Sequence, residues 1–203
     1  KHRGCTIVSI NPLRERGLER FGHPQNPLAL LGASTSLTDL YLQVRINGDV
    51  ALLKGIMKIL LKREAAAPGE VLDHDFIQQH TTDFESFKAA LLQTPWTQLE
   101  TQSGITRTEM EAAADIYAKS NATIICWAMG LTQHKNGVGN IQEVVNLLLL
   151  KGNLGKSGAG ACPVRGHSNV QGDRTMGIVE RPKEDFLARL DGHLGFTSPR
   201  AHG

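Results

Sequence analysis

Short apolar runs alternate along this chain with longer segments whose apolar residues recur at helical spacing. Three runs have the β-rich or alternating character of strands: TIVSI at residues 6–10, LYLQVRI at 40–46 and TIICWA at 123–128. Helical spacing predicts helices over residues 50–63, from about 84 to Pro95, over 141–151 and, briefly, over 184–190. A further helix is predicted from the capping signal at Thr106 to about residue 119. Strands that alternate with helices predict an α/β fold with Rossmann-like layers, in which helices flank a mostly parallel sheet.

Local signals set the predicted ends of these helices. Asp49 is suited to be the N-cap of the helix at residues 50–63, and Gly152 to be the C-terminal cap of the helix at 141–151. A threonine followed three residues later by a glutamate predicts a capping box. Two such pairs occur, Thr82 with Glu85 and Thr106 with Glu109.

The sequence predicts a solvent-exposed face on one helix and a buried face on another. Lys54, Lys58 and Lys62 recur on the polar face of the helix at residues 50–63, and a solvated face is the expected reading. The helix at 141–151 is expected to turn one apolar face inward, formed by Ile141, Val144, Val145 and Leu148.

The composition is that of a soluble globular protein. Of 203 residues, 40% are hydrophobic and 21% charged, and the net charge of +2 argues against general nucleic-acid binding. No apolar run reaches the length of a transmembrane helix, and the basic N-terminal segment is too short for a signal peptide. Three scattered cysteines without a CxxC pair indicate reduced thiols rather than zinc or disulfides. We expect a cytoplasmic protein, of which this chain is an excised piece.

Polar residues follow each predicted strand. In an open α/β sheet ligands bind outside the carboxyl ends of strands, and glycines there let backbone approach a ligand. Asp49 could accept a hydrogen bond from a guanine edge or a ribose hydroxyl. Ordinary turns and caps remain the alternative for each segment alone. The candidate residues are Ile10, Asn11, Pro12, Leu13 and Arg14; Asn47, Gly48 and Asp49; and Met129, Gly130 and Gln133.

The glycine-dense loop, residues 152–177, concentrates glycines and charges and is predicted to disfavour helix and strand. Arg165 offers a planar fork for an anion, and His167 is the strongest acid–base candidate. Gly155-Lys156-Ser157 is similar to the end of a phosphate-binding P-loop. Such a loop requires a glycine five residues before Gly155, and that position is occupied by Leu150. A polar surface loop without a binding role remains the alternative.

Two stretches, WAMGLTQHKNG and NLLLLKGNLGKSGAGACPVRGHSNVQGDRTMG, carry a specific resemblance. The chain resembles the molybdopterin oxidoreductases of the dimethyl sulfoxide reductase superfamily, and formate dehydrogenase-like alpha subunits most closely. The likeness extends through LYLQVRINGDVALLKGIMKILL and TIVSINPLRE, and so covers most of the chain. It implies that residues 1–203 are the central α/β cofactor-binding region of a larger enzyme. The iron–sulfur and metal-ligand part would lie before this region and a further cofactor domain after it.

The resemblance also assigns roles. It implies a bis(molybdopterin guanine dinucleotide) cofactor that carries molybdenum or tungsten, and a 4Fe-4S cluster in the N-terminal part. Residues at the positions of Met129, Gly130 and Gln133 would contact a pterin. The segments 10–14 and 47–49 would bind a guanine nucleotide. Arg165 would orient a small anion such as formate, His167 would relay protons, and Ser168 would line the cofactor with them. An electron-transfer subunit is a possible partner.

The sequence departs from this family in two respects. None of the cysteines, Cys5, Cys126 and Cys162, matches a cluster or metal-ligand position, so no metal ligand is predicted here and residues 1–203 alone are expected to be inactive. His167 stands where formate dehydrogenases have glutamine, which leaves the substrate open. A guanine-nucleotide-binding or regulatory module without redox chemistry is the alternative function, and a purely structural domain a third.

Overall fold

The computed structural model describes residues 3–22, 25, 34–167 and 169–200. The chain divides into two compact units, Lys1–Val164 and Arg165–Gly203. No helix in the described part of the chain combines the length and the apolar character that crossing a membrane requires.

The first unit carries most of the secondary structure. In chain order its elements are β1 (Val8–Ile10), α1 (Arg16–Glu19), β2 (Arg20–Phe21), β3 (Thr35–Ser36), β4 (Leu40–Leu42), α2 (Asp49–Ala66), α3 (His74–His80), α4 (Phe84–Gln93), α5 (Trp96–Ser103), α6 (Arg107–Lys119), β5 (Ile124–Trp127), α7 (Met129–Thr132), α8 (Gly137–Leu149) and β6 (Gly160–Pro163). The second unit adds α9 (Val170–Thr175) and α10 (Glu184–Leu194).

The described strands form short pairs. β1 runs parallel to β4, with Val8 opposite Leu40 and Ile10 opposite Leu42. β5 runs parallel to β6, while β2 and β3 are antiparallel. Helices with small parallel sheets agree with the predicted α/β class. A single Rossmann-like sheet is not confirmed, because each sheet among the described residues has two strands.

Helix α2 is the centre of the first unit. Eleven of its 18 residues are buried, and it packs against α4, α5, α6 and α8. The buried residues include the one apolar stripe that helical spacing in the sequence predicts, which is formed by Leu53, Ile56, Met57, Leu60 and Leu61. Gly55 allows one of these contacts, because a Cβ there would lie 2.2 Å from Met110 Sδ. The helix is apolar on more than the one face that the sequence predicted, since Leu52 and Ile59 are buried as well.

Lys58 corrects the prediction that the lysines of α2 form a solvated face. Its side chain is buried, with the residue 4% exposed, and Nζ donates hydrogen bonds to the carbonyl oxygens of Leu92 (2.9 Å) and Thr94. Burial lowers the pKa of Lys58, and the charges of Lys62 and Arg107 lower it further. The ammonium thus satisfies carbonyls that the end of α4 would otherwise leave without a partner.

Glu64 organises the loop that follows α2. Its buried carboxylate accepts hydrogen bonds from the backbone N–H groups of Gly69, Val71 (3.0 Å) and Leu72 (2.9 Å), and lies 2.6 Å from His74 Nε2. Burial alone would raise the pKa of Glu64, but these hydrogen bonds together lower it to about 2. The carboxylate therefore stays charged inside the fold.

A second buried polar cluster joins α6, α8 and the start of β5. Tyr117 donates its hydroxyl proton to Leu147 O (2.6 Å), and Asn153 Nδ2 donates to the Tyr117 hydroxyl (2.9 Å). Lys151 Nζ donates to three carbonyls at the end of α6, those of Tyr117, Ala118 and Ser120. Asn153 also accepts the backbone N–H of Thr123 (3.3 Å), so this cluster fixes where β5 begins.

The capping predictions have mixed outcomes. The Thr106–Glu109 capping box is confirmed at the start of α6. Gly152 has a positive φ (58°), but it is not the C-cap of α8, which ends at Leu149 and is capped by Leu150. The Thr82–Glu85 box is wrong, because α4 is preceded by Asp83 in the left-handed conformation (φ 57°) without a side-chain cap. Asp49 is the first residue of α2 rather than its N-cap, which is Gly48.

The predicted elements are also incomplete. The strand predicted over residues 40–46 ends at Leu42, and the helix predicted over 184–190 extends to Leu194. The sequence interpretation missed α3 and α5, and it expected no helix or strand in the glycine-dense loop, where β6 and α9 lie. Strand β6 forms there because β5 supplies a hydrogen-bonding partner.

We predict that Glu64→Gln lowers the free energy of unfolding by about 2–3 kcal/mol at neutral pH, because an amide cannot accept all the donors that face it. The folded-state pKa lies below the usual 4.5, so the carboxylate stabilises the fold fully above about pH 5 and loses this effect as the pH falls towards 2. Urea unfolding across this range should show the difference from the unsubstituted protein shrinking at low pH. Glu85→Gln, at an exposed carboxylate 3.4 Å from Lys88 Nζ, is the control and should change stability by less than about 0.5 kcal/mol. A difference that does not vary with pH would contradict the assignment.

Candidate functional site

The first candidate segment, residues 10–14, lies against the end of β4, at the carboxyl ends of β1 and β4. Asn11 N donates to Leu42 O (3.1 Å), and Gln43 Nε2 donates to Pro12 O (3.0 Å). Both strands run in the same direction, so their ends lie at one edge. This is the edge at which open α/β sheets bind ligands.

Hydrogen bonds hold the backbone of residues 11–14 in place. Asn11 Nδ2 donates to Leu13 O (2.6 Å) and to Glu15 Oε2 (2.8 Å), and the Tyr41 hydroxyl also donates to Leu13 O. Arg14 lies over the Tyr41 ring (5.1 Å to the centroid) and forms an exposed ion pair with Glu19 at 2.6 Å. The segment is therefore exposed but ordered by its own side chains, which suits a preformed binding edge.

The second candidate segment, residues 47–49, is a turn that begins in a left-handed backbone conformation and leaves no space beside its glycine. Asn47 adopts a positive φ of 65°, a conformation in which asparagine is enriched among non-glycine residues. A Cβ on Gly48 would lie 2.8 Å from Gln102 O and 2.9 Å from Arg45 O. The sequence predicts that Gly48 lets a ligand approach the backbone, but in the structure its missing side chain is required by packing against the end of α5.

Asp49 lies near His134, the residue after the third candidate segment, residues 129–133. Its half-buried carboxyl group has a raised pKa because of burial, which its own backbone N–H and the nearby His134 partly offset. His134 directly follows Gln133, so the structure brings the end of the second candidate segment near the end of the third. The sequence interpretation did not single out His134.

The third candidate segment forms the short helix α7 after β5. Met129 is 48% exposed, and Gln133 Nε2 lies 3.5 Å from Met129 Sδ. A Cβ on Gly130 would meet no other described atom within 4 Å, in contrast to Gly48. The exposed surface of α7 therefore has room for another molecule at Gly130.

Asn140 of α8 fixes the position of α7 through hydrogen bonds. It is fully buried, its Nδ2 donates to Leu131 O (2.8 Å), and its Oδ1 accepts from Asn136 Nδ2 (3.1 Å). Gly137 allows the close approach, because a Cβ there would lie 2.5 Å from Thr132 O. The signal for Asn140 was present in the sequence, since it precedes the buried Val144 by four residues and so shares its helix face.

One face of α8 remains partly open. Val144 and Leu148 are buried as predicted, together with Leu147, but Ile141 and Val145 are half-buried. These two line an open groove of about 490 Å³ beside Thr132 and the 77%-exposed Val138. The prediction that Ile141 and Val145 belong to the core is therefore wrong for the described fold.

The remaining candidates lie in the second unit. Arg165 is exposed and donates from Nη1 to Gln171 Oε1 (2.8 Å), which leaves the rest of its guanidinium available. His167 is exposed, and Ser168 lies outside the described residues. The candidate residues thus divide between the units, with the strand-end segments in the first and Arg165 and His167 in the second.

The described residues contain no group of three or more His, Cys, Asp or Glu side chains that could hold a metal ion. Around the strand ends the polar groups are Asn11, Gln43, Asn47, Asp49 and Gln133, together with backbone N–H and C=O groups. Such a set can donate to and accept from a polar organic molecule.

A scan against models of protein families found no match. Individual relatives do match. The chain is 52% identical to Protein YdeP of Escherichia coli (strain K12) over 206 residues, covering 99% of this chain and 27% of that protein. It is 47% identical to the uncharacterized oxidoreductase Rv2900c of Mycobacterium tuberculosis (strain ATCC 25618 / H37Rv) over 203 residues, covering all of this chain and 26% of the relative.

A more distant relative has a more specific name. The F420-dependent formate dehydrogenase 1 subunit alpha of Methanococcus maripaludis is 36% identical over 141 residues, which cover 70% of this chain and 20% of that protein. Among solved structures, acetylene hydratase from Pelobacter acetylenicus matches with a TM-score of 0.57 at 22% identity, over 77% of this chain and 18% of that one. At this identity the structural match shows a shared fold.

The chain spans about a quarter of the length of the first two curated relatives. The similarity to them extends over essentially all of residues 1–203. The chain is therefore related along its whole length to one part of larger proteins, among them a protein named as an oxidoreductase, and along most of its length to a formate dehydrogenase subunit.

Proposed function

We propose that this chain is the central cofactor-binding part of a molybdopterin-dependent oxidoreductase of the formate dehydrogenase-like alpha-subunit type, and that it binds bis(molybdopterin guanine dinucleotide). The observation that carries this proposal is the similarity of 70% of the chain to a formate dehydrogenase alpha subunit. The positions of the candidate residues after β1, β4 and β5 support it, because strand ends are where α/β sheets bind nucleotides.

The residues at these strand ends fit the organic part of such a cofactor. Gly130 leaves open space on the exposed face of α7, and Met129 and Gln133 flank it. Asn47 and Asp49 offer an amide and a carboxyl group to a guanine or ribose, and residues 10–14 lie at the edge formed by β1 and β4. The cofactor would bring its own molybdenum or tungsten, since this chain's candidate residues are hydrogen-bonding groups rather than metal ligands.

The protein residues have separate roles in this proposal. The bound cofactor supplies two-electron redox chemistry. Met129, Gly130 and Gln133 hold a pterin, and the segments 10–14 and 47–49 hold a guanine nucleotide. Arg165 binds the substrate anion through its planar fork, and His167 holds or passes on a proton.

The substrate class follows from Arg165. A guanidinium fork matches a small carboxylate such as formate, with two parallel N–H···O bonds. His167, at a position where formate dehydrogenases have glutamine, widens the choice to other small anions. A 4Fe-4S cluster outside residues 1–203, an electron-transfer subunit and a cytoplasmic location belong to the same proposal.

Composition of the purified full-length protein tests the proposal. Metal analysis should find molybdenum or tungsten, and oxidative extraction should release a fluorescent pterin together with a guanine nucleotide. A guanine nucleotide without pterin or metal would favour the alternative of a nucleotide-binding or regulatory module. Absence of all three from protein made in a host that synthesises the cofactor would contradict both.

We predict that Gly130→Ala lowers the pterin content of the full-length protein at least several-fold, because the added methyl group occupies space open to the cofactor. The fold should be unaffected, since no other described atom lies within 4 Å of the new Cβ. Gly139→Ala is the matched control, because Gly139 lies in the adjacent α8 and is equally free of described neighbours. Pterin fluorescence and thermal unfolding of both variants provide the measurement. Full pterin content in Gly130→Ala would remove α7 from the cofactor site.

We predict that Arg165→Lys lowers kcat/KM for the anionic substrate by about tenfold or more, because lysine keeps the charge but loses the bidentate fork. Arg174→Lys is the control, since Arg174 is likewise exposed in the second unit, with Glu180 3.3 Å away. Steady-state kinetics and pterin content should be measured for both variants. An unchanged kcat/KM in Arg165→Lys with normal pterin content would exclude Arg165 as the substrate clamp.

A further inference from the structure

Two cysteines face each other across the parallel pair formed by β5 and β6. Cys126 is directly opposite Cys162 in the register, between the pairs Ile125–Ala161 and Trp127–Pro163. Because side chains alternate between the faces of a strand, the two thiols lie on the same face while the flanking pairs lie on the other. They are 36 residues apart in sequence, so only the pairing of the strands brings them together.

The distance between neighbouring strands suits a covalent bond between these residues. Adjacent strands lie about 4.8 Å apart. Cysteines joined by a disulfide have Cα atoms roughly 4.4–6.8 Å apart. Directly opposed residues of β5 and β6 therefore meet the distance requirement.

Both sulfur atoms are free thiols, and one of them is open to solvent. Cys126 is exposed and Cys162 half-buried. Cys5 is also free and exposed, but it lies before β1 and its thiol contacts Thr6 O at 3.7 Å. Cys5 therefore offers an internal comparison, a thiol with solvent access but without an opposed cysteine.

We propose that Cys126 and Cys162 form a redox-active thiol pair that a hydroperoxide closes to a disulfide. The Cys126 thiolate attacks a peroxide oxygen, the O–O bond breaks, and a sulfenic acid forms while water or an alcohol leaves. Cys162 then attacks the Cys126 sulfur, and the S–O bond breaks as the S–S bond forms. The hydroxide leaves as water with the proton of the Cys162 thiol, so two thiols and one hydroperoxide give one disulfide, one alcohol or water, and one water.

The environment of Cys126 sets when this reaction is fast. Although Cys126 is exposed, partial desolvation of its thiol raises its pKa, and the neighbouring Cys162 raises it further. Because the thiolate is the nucleophile and only a small fraction of Cys126 is thiolate at neutral pH, the reaction is slow there. The rate of closure therefore increases with pH above neutrality, which distinguishes this pair from cysteines that are activated at low pKa.

The location gives the bond a structural effect. A disulfide would close a loop that contains α7 and α8 and would tie together the ends of β5 and β6. Strand β5 leads directly into Met129–Thr132, and β6 is followed in the chain by Arg165. The proposal depends only on the register of the two strands, so it stands whether or not a pterin binds at α7.

The test uses the full-length protein, first reduced and then freed of reductant. Treatment with hydrogen peroxide should lower the mass of the Cys126–Cys162 pair by two hydrogen atoms and produce a cross-linked peptide, both reversed by dithiothreitol. Cys126→Ser and Cys162→Ser should each abolish the cross-link, whereas Cys5→Ser should leave it intact. Closure should be faster at pH 9 than at pH 7.

Several results would overturn the proposal. Peptides in which Cys126 and Cys162 remain unlinked at pH 9, while Cys5 is oxidised, would show that opposition in register does not produce a bond. Cross-links that join either residue to Cys5 would show that the strand pair is not the reacting unit. Failure of iodoacetamide to label Cys126 in the folded, reduced protein would show that this face of the sheet is covered.

Discussion

Burial of helix α2 on most of its surface imposes the strongest constraint on the first unit. Eleven buried residues bring Lys58 and Glu64 into the interior with the apolar side chains, and a buried charge is costly unless hydrogen bonds compensate it. Lys58 is satisfied by carbonyls at the end of α4, and Glu64 by backbone N–H groups of the following loop. The positions of α4 and of residues 67–74 are therefore dictated by the polar needs of α2 as much as by its apolar contacts.

The same helix determines where two strand-end segments lie. Helix α2 begins at Asp49, directly after the turn, and packs along α8, with Lys54 3.4 Å from Glu143. Helix α8 in turn holds α7 through Asn140 and through the close contact at Gly137. Asp49 and His134 are brought near each other by this chain of contacts, although 85 residues separate them in the sequence. A binding edge of residues distant in sequence thus depends on the packing of two helices.

The sequence predicted those elements whose pattern is local. Helix α2, strand β5 and the capping box of α6 were all identified, because periodicity and neighbouring side chains determine them. Strand β6 is not predicted because its residues become a strand only beside β5. Helix α5 is not predicted because Pro95 signals the end of α4, although it is also the N-cap residue of α5. Lys58 was misplaced because its carbonyl partners lie 34 and 36 residues away.

The glycines at the strand ends show why a candidate site also requires the third dimension. The sequence predicts the same role for Gly48 and Gly130, since each follows a predicted strand and precedes a helix. In the structure the space beside Gly48 is filled by backbone atoms of α5 and of Arg45, whereas that beside Gly130 is open. The glycine at position 48 is thus explained by packing. A ligand can approach the protein backbone closely at Gly130 instead. The centre of the candidate site shifts accordingly towards α7, with the second segment contributing the side chain of Asp49 rather than the bare backbone of its glycine.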